Sequence, residues 1–378
     1  MERNIQFRPC SQNNLNLKRF QANFKRRITR QIKIGHVAIG GDAPIVVQSM
    51  AKTDTKDKKA TISQIKRLEQ VGCEIIRLAI PDEEAVEALE EIKKKVSIPV
   101  VADIHFDYRL AIASLKKGID GLRINPGNIG SKKKVKEVVK AAKERGIPIR
   151  IGVNSGSLER DLMQKYNGAT PEAMVESALR HVRILEDFGF SLIKISLKAS
   201  DVFRTVRAYQ LIADKIDYPF HAGITEAGGF TGGTVKSSVG LAFLISQGLA
   251  DTIRISLTAP PEDEVRIGYL ILSSLGLRTR GPNFVSCPVC GRCEVDFFKI
   301  ASEIEKRLSS IEENIEVAVM GCMVNGPGEA KEADIGLACG RGVGVVYKEG
   351  KLYRRLKEKE IIPEFVKEVW KFAGEKRK

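Results

Sequence analysis

The stretch GLRINPGNIGSKKKVKEVVKAAKERGIPIRIGVN covers residues 121–154 and contains one complete structural unit. Two short runs rich in β-branched residues, 121–125 and 148–153, flank a charged amphipathic segment, Lys132–Arg145. Both runs are largely apolar, as expected for strands that are covered on both faces. The stretch therefore predicts a strand, a helix and a second strand that runs parallel to the first.

The same pattern recurs on both sides of this unit. The predicted strands are Ile45–Met50, Ile75–Ile80, Val100–Ile104, Gly121–Asn125, Pro148–Val153, Leu192–Leu197, Phe220–Thr225 and Thr252–Leu257. Charged amphipathic segments lie between them, among them Thr61–Gln70, Glu83–Lys95 and Pro171–Phe188. Eight strands that alternate with helices predict a closed (β/α)8 TIM barrel over residues 31–280. No Gly-x-Gly-x-x-Gly motif follows the first strand, which argues against a dinucleotide-binding sheet.

Composition and charge limit what the rest of the chain can be. The chain has 378 residues and a net charge of +15, which favours anionic partners. Gly281-Pro282 predicts a linker, so residues 281–378 form a smaller second domain. Residues 1–30 form a basic arm with eight basic residues and one acid, Glu2; an organelle transit peptide is the alternative. Without a secretory signal or an apolar stretch of about 18 residues, we expect a cytoplasmic protein with no membrane span.

Polar side chains occupy alternate positions of several predicted strands, so on each strand they point to the same side. Those near the ends of the strands would lie at the barrel mouth, where the active sites of such barrels lie. Buried cations from several strands need an anion between them, and arginine matches phosphate geometry, so these residues predict a phosphate or diphosphate pocket. The alternative is a set of ion pairs across the barrel with Asp103 and Glu226. The cations are Arg77, Arg123, Arg150 and Lys198, with Arg254 as a further candidate. The other polar residues of the same strand faces are Asp103, His105, Asn125, Asn154, Lys194, Ser196 and Ser256.

A glycine-rich loop over residues 225–234 follows the seventh strand. Loops after the last two strands of such barrels often hold phosphate through backbone N–H groups. Glu226 lies at the strand exit, where a carboxylate beside cations indicates hydrogen bonding or proton transfer to a substrate. The alternatives for Glu226 are a helix N-cap partner or an ion pair.

Five of the seven cysteines lie between residues 287 and 339, which predicts a metal site in the second domain. Cys287-Pro-Val-Cys290-Gly-Arg-Cys293 precedes a helix over 297–308 and a strand over 315–320, and residues 321–329 read GCMVNGPGE. Three kinds of site compete: structural zinc held by Cys287, Cys290, Cys293 and Cys322, a dithiol redox couple, and a four-iron cluster. The spacing leaves zinc and cluster open, and the redox couple lacks its usual βαβ context.

Several of these motifs together resemble the 4-hydroxy-3-methylbut-2-enyl diphosphate synthases of the methylerythritol phosphate route to isoprenoids. The resemblance runs in order from about Arg30 to about Tyr347. It rests on residues 41–50 (GDAPIVVQSM), 122–128 (LRINPGN), 151–157 (IGVNSGS), 224–228 (ITEAG), 287–292 (CPVCGR) and 320–329. The resemblance implies a bacterial two-domain enzyme, with a barrel and a reductase-like α+β domain that holds one [4Fe-4S] cluster.

The resemblance also implies roles for individual residues. The cluster ligands would be Cys287, Cys290, Cys322 and Glu329, whereas Cys293 departs from the family pattern and Cys339 is not a family ligand. Glu226 resembles the acid that contacts the substrate. The implied substrate contacts are Arg77, His105, Arg123, Arg150, Asn154, Lys198 and Ser256.

The implied reaction is the two-electron reductive ring opening and dehydration of 2-C-methyl-D-erythritol 2,4-cyclodiphosphate. The implied partners are a ferredoxin or flavodoxin donor and a second subunit in a head-to-tail homodimer, with no nucleic acid and no membrane. Two other classes of protein remain open: a basic RNA-binding protein with a zinc module, and a non-redox phosphate-binding barrel enzyme such as a pterin-type transferase.

Overall fold

The structure is a computed structural model that describes residues 7–8, 21–22 and 24–377. Two short strands, β1 (Phe7–Arg8) and β2 (Gln21–Ala22), pair with each other. The predicted basic arm over residues 1–30 therefore lies mostly outside the described residues. From residue 24 onward the chain divides into two compact units, one that ends at Leu275 and one that begins at Gly276.

The first unit is an eight-stranded parallel barrel, which confirms the predicted fold. The strands pair in the order β10-β9-β8-β7-β6-β5-β12-β11, and a bridge between Ile195 and Phe220 joins the two ends. The last two strands are much shorter than predicted. The barrel strands are β5 (Val46–Met50), β6 (Ile75–Ala79), β7 (Val100–Asp103), β8 (Gly121–Ile124), β9 (Ile149–Asn154), β10 (Ile193–Lys198), β11 (His221–Ala222) and β12 (Thr252–Ile253).

Helices surround the barrel and bury one face each against the strands. Aspartate side chains cap several of them: Asp82 accepts a hydrogen bond from the amide of Ala85, and Asp201 accepts one from that of Arg204. No helix among the described residues is both long enough and apolar enough to cross a membrane. The helices of this unit are α1 (Lys58–Gln70), α2 (Glu83–Lys95), α3 (Tyr108–Lys116), α4 (Pro126–Ile129), α5 (Lys132–Arg145), α6 (Arg160–Lys165), α7 (Pro171–Asp187), α8 (Val202–Ala213), α9 (Phe230–Ser246) and α10 (Pro261–Ser274), with a 3-10 turn at Ser155–Ser157.

A hairpin of β3 (Ile32–Ile34) and β4 (Val37–Ile39) closes the end of the barrel opposite the mouth. Its isoleucines form one apolar cluster with Val46, Ile75 and Val101, which lie at the beginning of their strands. This cluster makes the barrel floor apolar, and Gln48, Arg150 and Lys194 line a small cavity together with Ile34 of the cluster.

The second unit is a five-stranded mixed sheet with helices on both faces. The strand order is β13-β14-β15-β16-β17, with the first two pairings parallel and the last two antiparallel. Helices α11 and α13 pack on one face, and the small residues of α12 pack on the other. The elements are β13 (Asn283–Ser286), α11 (Phe297–Leu308), β14 (Glu316–Met320), α12 (Gly326–Glu332), β15 (Ile335–Gly340), β16 (Val343–Lys348), β17 (Lys351–Lys357), a 3-10 turn at Glu358–Glu360 and α13 (Ile361–Lys376).

Candidate active site and metal-binding loops

Six cations project into the barrel interior from six different positions on its strands. Five of them are almost fully buried, and Arg254 is half-buried. The strand register places Arg150 level with its neighbours Arg123 and Lys194, and places Lys198 level with Asn154. Burying cations at this density is costly unless anions neutralise them. The six cations are Arg77, Arg123, Arg150, Lys194, Lys198 and Arg254.

Asp103 neutralises part of this charge. One carboxylate oxygen lies 2.9 Å from Nη1 of Arg123, and the other lies 3.4 Å from Nε of Arg77. His105 lies at the mouth, with Nε2 2.6 Å from Nη1 of Arg123. Burial alone would raise the pKa of Asp103, but Arg77, His105 and Arg123 outweigh it and hold that pKa well below its usual range. Ion pairing with Asp103, one part of the predicted alternative, therefore occurs for Arg77 and Arg123, between neighbouring strands and not across the barrel.

The remaining cations have buried nitrogens without a partner in the described part of the chain. These atoms include Nε and Nη1 of Arg150, Nζ of Lys194 and Nζ of Lys198. Burial, followed by repulsion from neighbouring cations, lowers the pKa of Lys198 well below its ordinary value. Buried donors are rarely left unpaired in a native structure, so this group indicates a site for a ligand with several acceptor oxygens.

Two glycines provide room for these cations. A side chain at Gly152 would bring its Cβ to 2.7 Å from Nε of Arg123. A side chain at Gly223 would bring its Cβ to 2.3 Å from the carbonyl oxygen of Arg254 and 3.1 Å from Nζ of Lys198. Both contacts are shorter than van der Waals separation, so the positions of Arg123 and Lys198 depend on glycine at these two sites.

Glu226 lies at the mouth, on the loop that follows β11. It is exposed, and its φ of +51° is a left-handed conformation that non-glycine residues seldom adopt. Gly228, with φ of +113°, completes the turn, and α9 begins at Phe230. The predicted glycine-rich loop is thus a loop over residues 225–229 followed by the first turn of a helix, whose free N–H groups suit an anion.

An ion pair between the exposed Lys52 and the buried Glu264 holds the neighbouring loop after β12. The carboxylate of Glu264 accepts a hydrogen bond of 2.9 Å from the amide of Leu257, and it lies 3.0 Å from Nζ of Lys52. Lys52 also donates to the carbonyl oxygen of Leu257 at 2.9 Å. The amide of Thr258 donates to the carbonyl oxygen of Gly228 at 3.1 Å, which connects this loop to the one that carries Glu226.

The structure gathers the predicted substrate contacts in and around one barrel mouth. Arg77, Arg123, Arg150 and Lys198 are buried inside, Asn154 and Ser256 are half-buried, and His105 is exposed. Their roles as substrate contacts stay predictions. Lys194 was not predicted as a contact, although it shares its strand face with Lys198. The two-residue period of β10 was the signal that could have identified it.

In the second unit, the predicted cluster ligands lie on loops at one end of the sheet. Cys287 follows β13 directly, and its amide donates to the carbonyl oxygen of Val319 in β14 at 3.2 Å. Cys322 follows β14, and Glu329 lies in the first turn of α12. Cys290 is exposed, so a ligand could reach its thiol.

These loops suit thiolate ligands. Backbone N–H groups of Val324, Asn325 and Gly326 lower the pKa of Cys322, and Arg292 adds to the effect. The thiol of Cys287 accepts a hydrogen bond of 3.4 Å from the amide of Val289. An iron–sulfur cluster uses thiolates and backbone N–H groups of this kind, so the donor set fits one.

The predicted metal ligands do not lie around one point in the described part of the chain. Among residues 24–377, no three side chains of the His, Cys, Asp and Glu types lie close enough together to hold a metal ion. Loops that bind a metal commonly take their final positions only when the metal is present. The ligand set Cys287, Cys290, Cys322 and Glu329 stays a prediction. Cys339 is buried, and burial raises the pKa of its thiol to about 12, which disfavours it as a ligand.

Comparison with known proteins agrees with this arrangement. A family model described as the GcpE TIM-barrel domain matches residues 29–269, and one described as the GcpE protein C-terminal domain matches residues 283–371. A 4-hydroxy-3-methylbut-2-en-1-yl diphosphate synthase (flavodoxin) from Geobacter sulfurreducens is 58% identical over 348 residues, covering 92% of this chain and 99% of that protein. The protein of that name from Caldanaerobacter subterraneus subsp. tengcongensis is 57% identical over 350 residues, covering 93% and 99%.

Among solved structures, a dihydropteroate synthase from Stenotrophomonas maltophilia covers 64% of this chain and 98% of that chain, at 12% identity and a TM-score of 0.47. The two family models cover most of both structural units, and the similar relatives match almost from end to end. The resemblance drawn from the motifs is thereby confirmed: this chain belongs to the GcpE family, which contains the 4-hydroxy-3-methylbut-2-en-1-yl diphosphate synthases.

Proposed function

We propose that the chain catalyses the reductive ring opening and dehydration of 2-C-methyl-D-erythritol 2,4-cyclodiphosphate to (E)-4-hydroxy-3-methylbut-2-enyl diphosphate. The reaction consumes two electrons and releases one water. The observation that carries this proposal is the group of buried, unpartnered cations in the barrel, because a cyclic diphosphate supplies the acceptor oxygens that they lack. The names of the similar relatives support the same activity.

The barrel residues bind and orient the diphosphate. Arg150 and Lys198 would donate to phosphate oxygens through nitrogens that have no partner within residues 24–377. Arg77 and Arg123 are oriented by Asp103, so their guanidinium groups are fixed before the substrate arrives. Such preorganisation lowers the cost of ordering the site when the substrate binds.

Glu226 is the residue that we assign to proton transfer. Its carboxyl group lies at the mouth on a backbone held in a left-handed conformation, and backbone outliers of this kind concentrate at functional sites. The oxygen that leaves when the ring opens needs a proton, and a carboxyl group within hydrogen-bond reach can provide it.

A [4Fe-4S] cluster held by Cys287, Cys290, Cys322 and Glu329 would supply the electrons for this reaction. The backbone N–H groups around Cys322 would stabilise its thiolate form, as cluster ligation requires. A flavodoxin would deliver electrons to the cluster, in agreement with the names of the similar relatives, and a ferredoxin is the alternative donor.

We also propose that the working enzyme is a homodimer. An exposed apolar surface on α8 and α9 supports a subunit interface, because patches of this kind usually mark contact sites. Phe203 and Phe243 lie together on it with ring centroids 6.2 Å apart, and Val235 and Val239 continue the same helix face. Sedimentation of the purified protein tests this, and Val239→Lys should shift a dimer towards monomer.

The activity is tested by anaerobic incubation of the purified protein with the cyclic diphosphate and reduced methyl viologen. We expect the linear diphosphate to form in proportion to enzyme, as measured by mass spectrometry. A protein that contains its full iron complement, binds the substrate and forms no product would contradict the proposal.

A further inference from the structure

Helix α5 carries a concentration of positive charge that differs from the other helices of the barrel. Seven of its residues are Lys or Arg, and two are Glu. With about 100° of rotation per residue, five of its lysines fall within one arc of about 100° on the exposed side. They are Lys132, Lys133, Lys136, Lys140 and Lys143.

Most of this charge has no partner. Lys140 lies 4.0 Å from Glu144, and the structure gives no other ion pair to the cations of α5 in the described part of the chain. Elsewhere on the barrel, basic residues of the helices commonly pair with acids, and no other barrel helix has more than two lysines without an ion pair among the described residues. Examples of such pairs are Lys58–Glu91, Lys117–Glu87, Arg180–Glu176 and Arg266–Asp263.

The position of α5 connects this charge to the active site. The helix follows β8, so its first turn, with Lys132 and Lys133, lies at the rim of the barrel mouth. Under the proposed function, the electrons are consumed by the substrate bound inside this mouth. A donor that docks on the rim is therefore close to the substrate pocket.

We infer that the lysine face of α5 is the docking surface for the acidic electron-transfer protein that reduces this enzyme. The inference rests on the proposed function and names where its donor binds. Electron-transfer encounters are weak and are guided mainly by complementary charge, which an unpaired basic face provides. A single-stranded nucleic acid fits less well, because α5 contains no aromatic residue on which bases could stack.

The test compares two charge-reversed variants of the cluster-loaded enzyme. In the first, Lys132, Lys133 and Lys136 are each replaced by Glu. In the control, Lys59→Glu, Lys66→Glu and Lys95→Glu make the same change of net charge on α1 and α2. Each is assayed with reduced flavodoxin and, separately, with reduced methyl viologen, over a range of salt concentration, and flavodoxin affinity is measured by calorimetry.

We expect the α5 variant to raise the KM for flavodoxin about tenfold or more at low salt and to flatten its salt dependence. Its turnover with methyl viologen should stay near that of the unmodified enzyme. The control variant should keep both the KM for flavodoxin and the turnover of the unmodified enzyme. A variant with Gln at the three α5 positions should have a KM for flavodoxin between those of the unmodified enzyme and the Glu variant. It replaces the Glu variant if that variant does not fold.

Three results would overturn the inference: an unchanged KM and affinity for flavodoxin in the α5 variants, an equal loss in the control, or loss of binding to a labelled oligonucleotide with flavodoxin unaffected. Failure of the unmodified enzyme with methyl viologen as well would instead count against the proposed function. The two failures are therefore distinguishable.

Discussion

The barrel interior and the cysteine loops differ in how complete they are without a ligand. In the barrel, strands fix the cations, Asp103 orients two of them, and Gly152 and Gly223 leave the room that they need. In the second unit, three of the predicted ligands lie on loops and Glu329 lies in the first turn of α12, and no three such side chains converge among the described residues. The barrel thus presents an ordered group of cations to an anion, whereas the predicted ligands of the second unit lie apart from one another.

The largest effect is expected at Cys322. Cys322→Ala removes a thiol whose backbone surroundings favour the thiolate, so cluster content and reductive activity should fall below detection. Affinity for the cyclic diphosphate, measured by calorimetry, should stay within about twofold because the barrel does not depend on the metal. Cys339→Ala is the matched control and should keep its cluster. An intact cluster and full turnover in Cys322→Ala would refute the proposed ligand set.

The next largest effect is expected at Glu226. Glu226→Gln keeps the size of the side chain but cannot transfer a proton, so kcat should fall by about 10²- to 10⁴-fold. Cluster absorption and substrate affinity should change little. Glu172→Gln, at an exposed position in the first turn of α7, is the control and should leave kcat unchanged. If kcat survives in Glu226→Gln, another group transfers the proton.

Substitutions of Arg150 and Arg123 should distinguish a cation that binds the ligand from a cation that stabilises the barrel. Arg150→Met removes a buried cation whose Nε and Nη1 have no partner among the described residues, so the melting temperature should hold or rise. The substrate Kd should rise about 10- to 100-fold, the equivalent of about 1.5–3 kcal/mol for a lost charged hydrogen bond. Arg123→Met breaks the pair with Asp103 and should lower the melting temperature. The opposite pattern would indicate that Arg150 has a structural role.

The smallest expected effect is the uptake of a proton by Lys198 when the diphosphate binds. Burial and neighbouring cations lower the pKa of Lys198 in the folded protein, so the unfolded chain binds more protons at this side chain. Stability of the ligand-free protein should therefore rise with pH between that lowered value and about 10.4, the ordinary lysine pKa.

A bound dianion should reverse this shift and draw protons from the buffer. Binding enthalpies measured near neutral pH in buffers of different ionisation enthalpy should reveal the uptake, which should shrink in Lys198→Met. An uptake that is unchanged in this variant would assign the proton to other groups, such as Lys194.

Helices of the barrel were predictable because the sequence pattern that indicates a helix lies within the helix itself. Helices α2 and α5 have the predicted bounds, since charged residues alternate with apolar ones at helical spacing. The strands β11 and β12 end earlier than predicted, and just beyond them Gly223 lies so close to the carbonyl oxygen of Arg254 that there is no room for a side chain. No local pattern in either strand carries that information.

Part of the candidate site was predictable, because the alternation of side chains along a strand determines which residues point into the barrel. Parity placed Arg150 and Lys198 on the inward face, and the structure has them buried there. It also placed Lys194 on that face, but a lysine is so rarely buried without a partner that sequence reasoning gives it little weight. The positions of the cysteine side chains depend on loop geometry and on the metal, so the spacing left zinc and cluster open.

Metal and sulfide analysis of protein purified without oxygen tests the central claim most directly. That claim is that the barrel is complete by itself and that the loops of the second unit assemble on iron. We predict about four iron atoms and about four acid-labile sulfides per chain, with visible absorption that dithionite bleaches. A colourless protein that holds one zinc per chain and little iron, yet is folded and binds the diphosphate, would contradict the account.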